Sequence, residues 1–324
     1  MSWWTTPLDP PEGAGPDSLV MNIKRKLFRD FLQFSEIQLA SWDIDPTYPV
    51  LKQVYKKRRY DQEQALWHTA IYVTYYHLGS TEIFFAHNPH PTTDTLFPFP
   101  TALPTGTERR GFRGQSGRVK THLDHISRRR PISTWLRGMT WDEIRDSYKS
   151  IRFGGDWSSY KFADLLKWVH DFPITASDFG VGGGGEKAGP IAGMSILTGY
   201  PRKECATNIG LQKEFYELCL KRMPHNTFYG MDQCETCLCD FNSMLVGRYY
   251  PGHDIDQQLE FIRKAGPWTG DYLEARRVVF HRNVLGEVNG WLGVRKDLNK
   301  LYYETGKIYD PFINYKPKRD FRFG

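Results

Sequence analysis

Cysteine is scarce in this chain: five residues in 324, at irregular spacing. An odd count of this kind argues against a disulfide framework, and a reducing, cytosolic compartment is the simplest reading. No run of 18 or more apolar residues occurs, so no membrane span is expected. The first residues, MSWWTTPLDPPEGAGPDS, lack a basic stretch ahead of an apolar one and do not read as a secretory signal. The glycine run GVGGGGEKAG lacks the GK[ST] ending of a triphosphate-binding loop. The ten histidines are scattered without HExxH spacing, and the CxxC at Cys234 and Cys237 has no partner pair, so no metal site is expected. Internal repeats are missing, and strand-like alternation is rare.

Aromatic residues, by contrast, are plentiful. They make up 15% of the chain, enough both to fill a core and to stack on bases. The formal charge of +6 hints at a polyanionic partner, and the clustering of that charge carries more information than its sum. The length is sufficient for one elaborate domain or two lobes.

Helical spacing of apolar residues dominates. Ile23, Leu27, Phe31, Phe34, Ile37 and Leu39 trace one helix face. The turn DIDPTYP ends that helix, and Pro49 suits the first turn of the next. Trp67, Ile71, Tyr75 and Leu78 trace one face of QEQALWHTAIYVTYYHLGSTEIFFAH, and further helices are expected over 140–150, 158–170, 204–223, 254–264 and 270–281. The expected fold is therefore mainly α: two helical lobes around a cleft. Residues 1–20 would form an extended arm, residues 21–310 a single helical catalytic domain with two lobes, and residues 311–324 a basic tail.

The segment TERRGFRGQSGRVKTHLDHISRRRP, residues 107–131, is a basic loop in this reading, at the mouth of the cleft. Arg109, Arg110, Arg113, Arg118 and Lys120 are candidate phosphate or pyrophosphate ligands, and Arg128, Arg129 and Arg130 candidate contacts to a DNA backbone. Arginine forks suit phosphate oxygens, and the interspersed glycines let the backbone come close. His122 and His125 sit beside them and could help bind phosphate, but solvent-facing helix positions are the expectation.

In FGGDWSSYKFADLLKWVHDFPITASD, a glycine turn leads into a helix, a Phe-Pro turn follows, and Asp178 lies five residues beyond Pro173. That order resembles the helix-hairpin-helix and downstream aspartate of DNA glycosylases. Gly154 and Gly155 would then hold a DNA phosphate through backbone N–H groups. Asp178 would be an acid or base in the pocket, or simply a turn aspartate. Where lyase-type glycosylases carry a nucleophilic lysine, this chain has Asp156 and Trp157, and Lys161, the nearest candidate catalytic amine, comes about one turn later. Asp156 can cap the helix. A second stretch, IRKAGPWTGDYLEARR, matches the hairpin wording better through AGPWT, and only one of the two can be the hairpin.

In DQCETCLCDF, Cys237 and Cys239 are either inert core thiols or nucleophiles. Glu235 is a candidate base, because an apolar neighbourhood would raise its proton affinity.

Taken in order, DIDPTYPVLKQVYKKR with ALWHTAIYVTYYHLGS, LPTGTERRGFRG, SSYKFADLLKWVHDFPI and CETCLCDFNSMLVGRYYPGHDI resemble the phage amino acid:DNA transferases, also called α-glutamyl/putrescinyl-thymine pyrophosphorylases. The resemblance runs from about residue 25 to 285. It implies a helix-hairpin-helix architecture related to DNA glycosylases. It also implies a substrate DNA carrying pyrophosphorylated 5-hydroxymethyluracil, with an amine (glycine, glutamate or putrescine) displacing pyrophosphate to give a hypermodified thymine. By the same resemblance the protein works in the cytoplasm of an infected bacterium, with DNA and a small amine as partners. No cofactor is implied, and a divalent ion accompanying the pyrophosphate stays open. Two other readings stay open as well: a monofunctional glycosylase acting on a modified base, and a non-catalytic DNA-binding protein.

Overall fold

Apolar residues at helical spacing do form helices. A computed structural model describes residues 23–91, 102–180, 182–223, 230–288, 290–292 and 295–312, and no strand occurs among them. The expected N-terminal arm and nearly all of the basic tail lie outside these residues. In chain order the first helices are α1 (Arg25–Ser41), α2 (Thr47–Arg58), α3 (Gln62–Tyr75) and α4 (Leu78–His87). A 3-10 turn over Thr107–Phe112 leads to α5 (Ser116–Ser127), α6 (Ile132–Trp135), α7 (Trp141–Lys149) and α8 (Asp156–His170). Then come α9 (Gly189–Thr198), α10 (Arg202–Thr207), α11 (Ile209–Arg222), α12 (Met231–Leu245), α13 (His253–Arg263), α14 (Thr269–Val279) and α15 (Leu301–Thr305).

Two expectations need correction. The run from Gln62 to His87 is not one helix. Tyr76 takes left-handed backbone angles (φ 48°), and the His77 imidazole then caps α4 by accepting from the Ser80 N–H at 3.1 Å. The basic segment is not a loop either, because half of it is the regular helix α5, which carries Arg118 and Lys120.

The chain divides into two compact units. The first draws on the described residues of Met1–Asp45, Ala176–Ile255 and Arg282–Gly324. Its core is aromatic: Phe28, Phe31 and Phe34 of α1 meet Phe215 of α11, Phe241 of α12 and Tyr249 at centroid distances between 5.5 and 6.0 Å. The apolar helix α9 is buried on most of its surface, and its Gly193 lies directly against the Leu238 carbonyl of α12. A side chain at 193 would collide with backbone.

The second unit comprises Pro46–Thr175 and Asp256–His281. At its centre, every residue of α3 from Ala65 to Tyr75 is buried. Helices α4, α5, α6 and α8 pack around it. The buried Glu82 carboxylate of α4 accepts from both Arg58 (2.8 and 2.9 Å), His68 and Tyr272. These partners, His68 and Arg58 foremost, hold Glu82 down at about 2 against its own desolvation. A buried carboxylate so surrounded fixes how α2, α3, α4 and α14 meet, because losing any one donor leaves charge stranded.

That close approach differs from a glycine with room. Gly193→Ala should cost ~1–3 kcal/mol in urea unfolding, since backbone must move. Gly270→Ala in α14, where a Cβ meets nothing within 4 Å, should leave stability unchanged or raise it.

Candidate anion-binding site

Arg109 is the centre of the arrangement. Gly106 is pressed against the Tyr76 carbonyl and donates its N–H to Tyr75 O at 2.9 Å, which lays the following turn across the C-terminal end of α3. The Arg109 side chain is thereby carried inward and is 7% exposed. Its Nε donates to the Thr74 carbonyl at 3.1 Å, and its guanidinium lies 4.4 Å from the Phe112 ring and 5.5 Å from the Trp157 ring. Its Nη2 is buried with no acceptor, and no carboxylate pairs with it among the described residues. Burial pulls its proton affinity below the ordinary arginine value. A buried cation without a counter-ion is costly, and an anionic ligand would relieve that cost.

Around it stands a wall of rings. Trp157, in the first turn of α8, meets Tyr76 edge-on at 4.9 Å. Phe112 contacts the His122 ring at 5.5 Å and Phe153 at 6.4 Å. Phe153 is 38% exposed and sits at φ 66°, an unfavourable conformation for a bulky residue. The guanidinium groups of Arg118 and Arg152 flank its ring at 5.6 and 5.3 Å. An exposed ring between two cations suits stacking on a base beside a phosphate.

His122 does not face solvent. It is fully buried, with Nδ1 at 2.8 Å from the Arg152 carbonyl and Nε2 at 2.9 Å from the Tyr148 hydroxyl. A carbonyl only accepts, so Nδ1 carries the hydrogen and Nε2 accepts from Tyr148. Desolvation, with Arg109 and His125 adding to it, lowers the imidazole to about 4 from 6.5. It is a neutral brace for the turn at Phe153 and contributes no phosphate-binding charge.

The other cations of the basic segment divide. Arg113 and Arg128 are exposed and without an ion pair among the described residues. Arg118 also donates to the Gly111 carbonyl at 3.3 Å. Lys120 is paired with Asp124 at 2.6 Å, and Arg129 is tied to Ser147 and Ser150 at 2.9 and 2.8 Å. Arg130 reaches the Pro91 carbonyl at 3.4 Å. The side chain of Arg110 lies outside the described set. Lys120 and Arg129 thus serve the fold first.

The two glycines ahead of α8 do not offer their N–H groups to a phosphate. Gly154 donates to Ile151 O at 2.7 Å and Gly155 to the Ser158 hydroxyl at 3.1 Å. Gly154 is needed for another reason: a Cβ there would run into the Tyr148 carbonyl. Asp156 is the first residue of α8 rather than its cap, 3.7 Å from Lys149. Lys161 is partly buried, 3.2 Å from Asp164 and over the Tyr48 ring. At the other end of α8, ~20 Å along at 1.5 Å per residue, a cavity of about 700 Å³ opens beside Arg137, Trp141 and His170. None of the candidate catalytic or phosphate-binding residues named from the sequence lines it.

The remaining candidates belong to the first unit. Asp178 accepts the Gly180 N–H at 2.7 Å, the contact of a turn aspartate. Glu235 is half-buried and accepts from the Thr236 hydroxyl at 3.2 Å. Cys237 is fully buried, and desolvation keeps its thiol protonated far above the usual range. Cys239 is half-buried against Gly189. All five cysteines are free thiols. Among the described residues no group of three or more His, Cys, Asp or Glu is arranged to hold a metal ion, and no helix is long and apolar enough to cross a membrane.

The brace at His122 has a measurable signature. Below pH 6.5 the unfolded chain takes up a proton that the folded imidazole refuses until about 4. Wild type should therefore lose ~2 kcal/mol relative to His122→Asn between pH 7 and pH 5 in urea unfolding. A pH-independent difference between the two would show the imidazole to be solvated.

Comparison with known proteins covers part of this region. Residues 116–250 match the family described as "Amino acid:DNA transferase". A putrescinyltransferase of Delftia phage PhiW-14 is 29% identical over 156 residues, 46% of this chain and 48% of that protein. The chain thus spans about half the length of the curated relative it matches. His122, Phe153 and Trp157 fall inside the family match. Over residues 116–250 the chain is thus similar to the amino acid:DNA transferases.

Proposed function

We propose that the protein is a DNA-modifying transferase in which an amine displaces pyrophosphate from a 5-pyrophosphoryloxymethyl-deoxyuridine of phage DNA. The observation that carries the proposal is Arg109: a buried guanidinium with an unclaimed Nη2, no carboxylate, and an aromatic wall beside it. In the reaction a C–N bond forms at the 5-methylene as its C–O bond breaks. The electron pair leaves with pyrophosphate, and the amine gives up one proton. Arg109 would stabilise the charge developing on the leaving oxygen, where a desolvated cation counts most. Arg113 and Arg118 would hold the outer phosphate, and Phe153 and Trp157 would receive the base or its neighbour.

The helix-hairpin-helix part of the reading is supported best at α13–α14. There Gly266 turns at φ 62°, Pro267 is exposed, and the Thr269 hydroxyl closes the turn on Ile262 O at 3.1 Å. First-turn N–H groups of α14 would then face a DNA phosphate. The likeness to a phage putrescinyltransferase supports a small amine as the donor in this reading, with the infected bacterial cytoplasm as its proposed setting.

Nucleoside mass spectrometry tests this reading. DNA containing 5-pyrophosphoryloxymethyluracil is incubated with the protein and a mixture of amino acids and polyamines. A new adduct on the thymine-derived nucleoside is expected, its mass naming the amine. Released free base would favour a glycosylase instead, and unchanged, tightly bound DNA a binding protein.

A further inference from the structure

The cavity at the C-terminal end of α8 lies entirely within the second unit and takes no part in the function proposed above. Its volume of about 700 Å³ has room for a ligand much larger than a small amine. It is separated from Trp157 by most of the length of α8, ~20 Å, so its occupant takes no part in bond-making at Arg109. The wall joins rings to unclaimed polar groups. Trp141 and Phe172 are among the residues lining it, and Arg137 is exposed with no ion pair among the described residues. The one acid on the wall, Asp171, is already held by Lys52 at 2.7 and 2.8 Å, which leaves Arg137 as the free cation there. The hydroxyls of Ser133 and Thr175 also have no hydrogen-bond partner among the described residues.

His170 gives this wall a direction. Its Nε2 lies 2.8 Å from the Thr69 hydroxyl, and that hydroxyl lies 3.0 Å from the Tyr55 hydroxyl. Tyr55 is in turn 2.9 Å from His68 Nδ1, and His68 Nε2 ends the chain 3.3 Å from Glu82 Oε1. A carboxylate only accepts, so His68 Nε2 donates to it. A singly protonated His68 then accepts at Nδ1 from Tyr55. Each hydroxyl has one hydrogen to give: Tyr55 accepts from Thr69, and Thr69 accepts from Nε2–H of His170. His170 therefore carries its hydrogen on Nε2 and keeps a lone pair on Nδ1. That nitrogen has no partner among the described residues and, unlike the indole nitrogen of Trp141, is not sealed from solvent. Burial, with Lys52 and His68 adding to it, takes the imidazole down to about 3, so it stays neutral. The Tyr55 ring stacks on it at 5.9 Å and fixes its plane.

We propose that this cavity binds a pyrimidine nucleotide with an imide N–H, as in thymine and uracil, His170 Nδ1 accepting from the ring N–H and Arg137 holding the phosphate. An imide sets one donor between two carbonyl oxygens. The wall offers one bare acceptor at His170 and hydroxyl donors at Ser133 and Thr175. A cytosine ring, whose N3 is an acceptor, would set lone pair against lone pair at Nδ1 and is disfavoured. A guanidinium suits the phosphate oxygens, and aromatic side chains suit the base. The same chemistry occurs in a free nucleotide and in a nucleotide of a DNA strand. In a strand, the site would give the protein a hold on thymine one helix length from Arg109. The inference goes beyond the transferase reading and does not depend on it.

The test is isothermal titration calorimetry of the full chain at pH 8 with dTMP, with dCMP, and with 3-methyl-dTMP, whose imide hydrogen is replaced by a methyl group. dTMP should bind roughly tenfold tighter than either of the others, or better. Arg137→Met should weaken dTMP by a similar factor. So should His170→Phe, which keeps a ring on Tyr55 and removes the acceptor. Because that change also strands the Thr69 hydroxyl, the double variant with Thr69→Val is measured beside it, and circular dichroism melts identify the variants that fold. Arg109→Met should bind dTMP like wild type. Equal binding of dTMP and 3-methyl-dTMP overturns the proposal, as does a wild type that binds no dTMP or folded His170 and Arg137 variants that bind it unchanged. Loss of dTMP binding in Arg109→Met also overturns it, since the nucleotide would then sit at the other end of α8. Nitrogen-15 NMR of the wild-type imidazole should find the hydrogen on Nε2; a hydrogen on Nδ1 contradicts the relay. Oligothymidylate that binds tighter than dTMP, with the excess lost in the His170 variants, assigns the site to a strand. Oligothymidylate binding that ignores His170, beside dTMP binding that needs it, assigns the site to a free nucleotide.

Discussion

Burying the stretch Ala65–Tyr75 of α3 on all sides is the constraint from which the second unit follows. A helix surrounded by protein must find partners for every polar group it carries. His68 is met by Glu82 and Tyr55, and Thr69 by His170 and Tyr55. The Thr74 carbonyl, close to the C-terminal end where no intrahelical donor remains, is met by Arg109. The anion site is in this sense a consequence of helix termination. The residue that caps a buried helix end is also the one left with an unclaimed N–H. Apolar packing alone would have left both needs unmet.

The same economy appears at His122 and Phe153. The neutral imidazole holds the Arg152 carbonyl, and that carbonyl immediately precedes the residue forced into left-handed angles. The strain at Phe153 is therefore supported by a buried hydrogen bond, and its product is an exposed ring between two arginines at the start of a helix. Sites that keep strained residues in place generally do so through surroundings that over-determine them. In the first unit the corresponding device is Asp43, which collects three donors from one turn and so fixes Tyr249 and the start of the helix His253–Arg263.

Much of the fold was legible. The helix expected over 158–170 is Asp156–His170, and those over 254–264 and 270–281 are displaced by only a residue or two, because caps and apolar periodicity are local properties. The break at Tyr76 was not, since no glycine or proline marks it. Of the candidate residues, Arg109 could be picked from its neighbours' composition, but its burial could not. Arg129 and Lys120 looked the same in sequence and are tied into the fold. Gly154 and Gly155 stood where a phosphate-binding turn would place them, yet their N–H groups close the turn itself.

The account depends most on Arg109 being a buried cation that awaits an anion. Titrating pyrophosphate into wild type and Arg109→Met, while following thermal unfolding of each with and without ligand, tests this directly. In Arg109→Met, losing an uncompensated buried charge and losing the cap on the Thr74 carbonyl act in opposite directions on the unliganded protein, so the readout is the shift that the ligand produces. Pyrophosphate should raise the Tm of wild type and do little to the variant. A variant whose Tm pyrophosphate raises as much as that of wild type would contradict the account, because the unclaimed Nη2 would then not be what the anion meets.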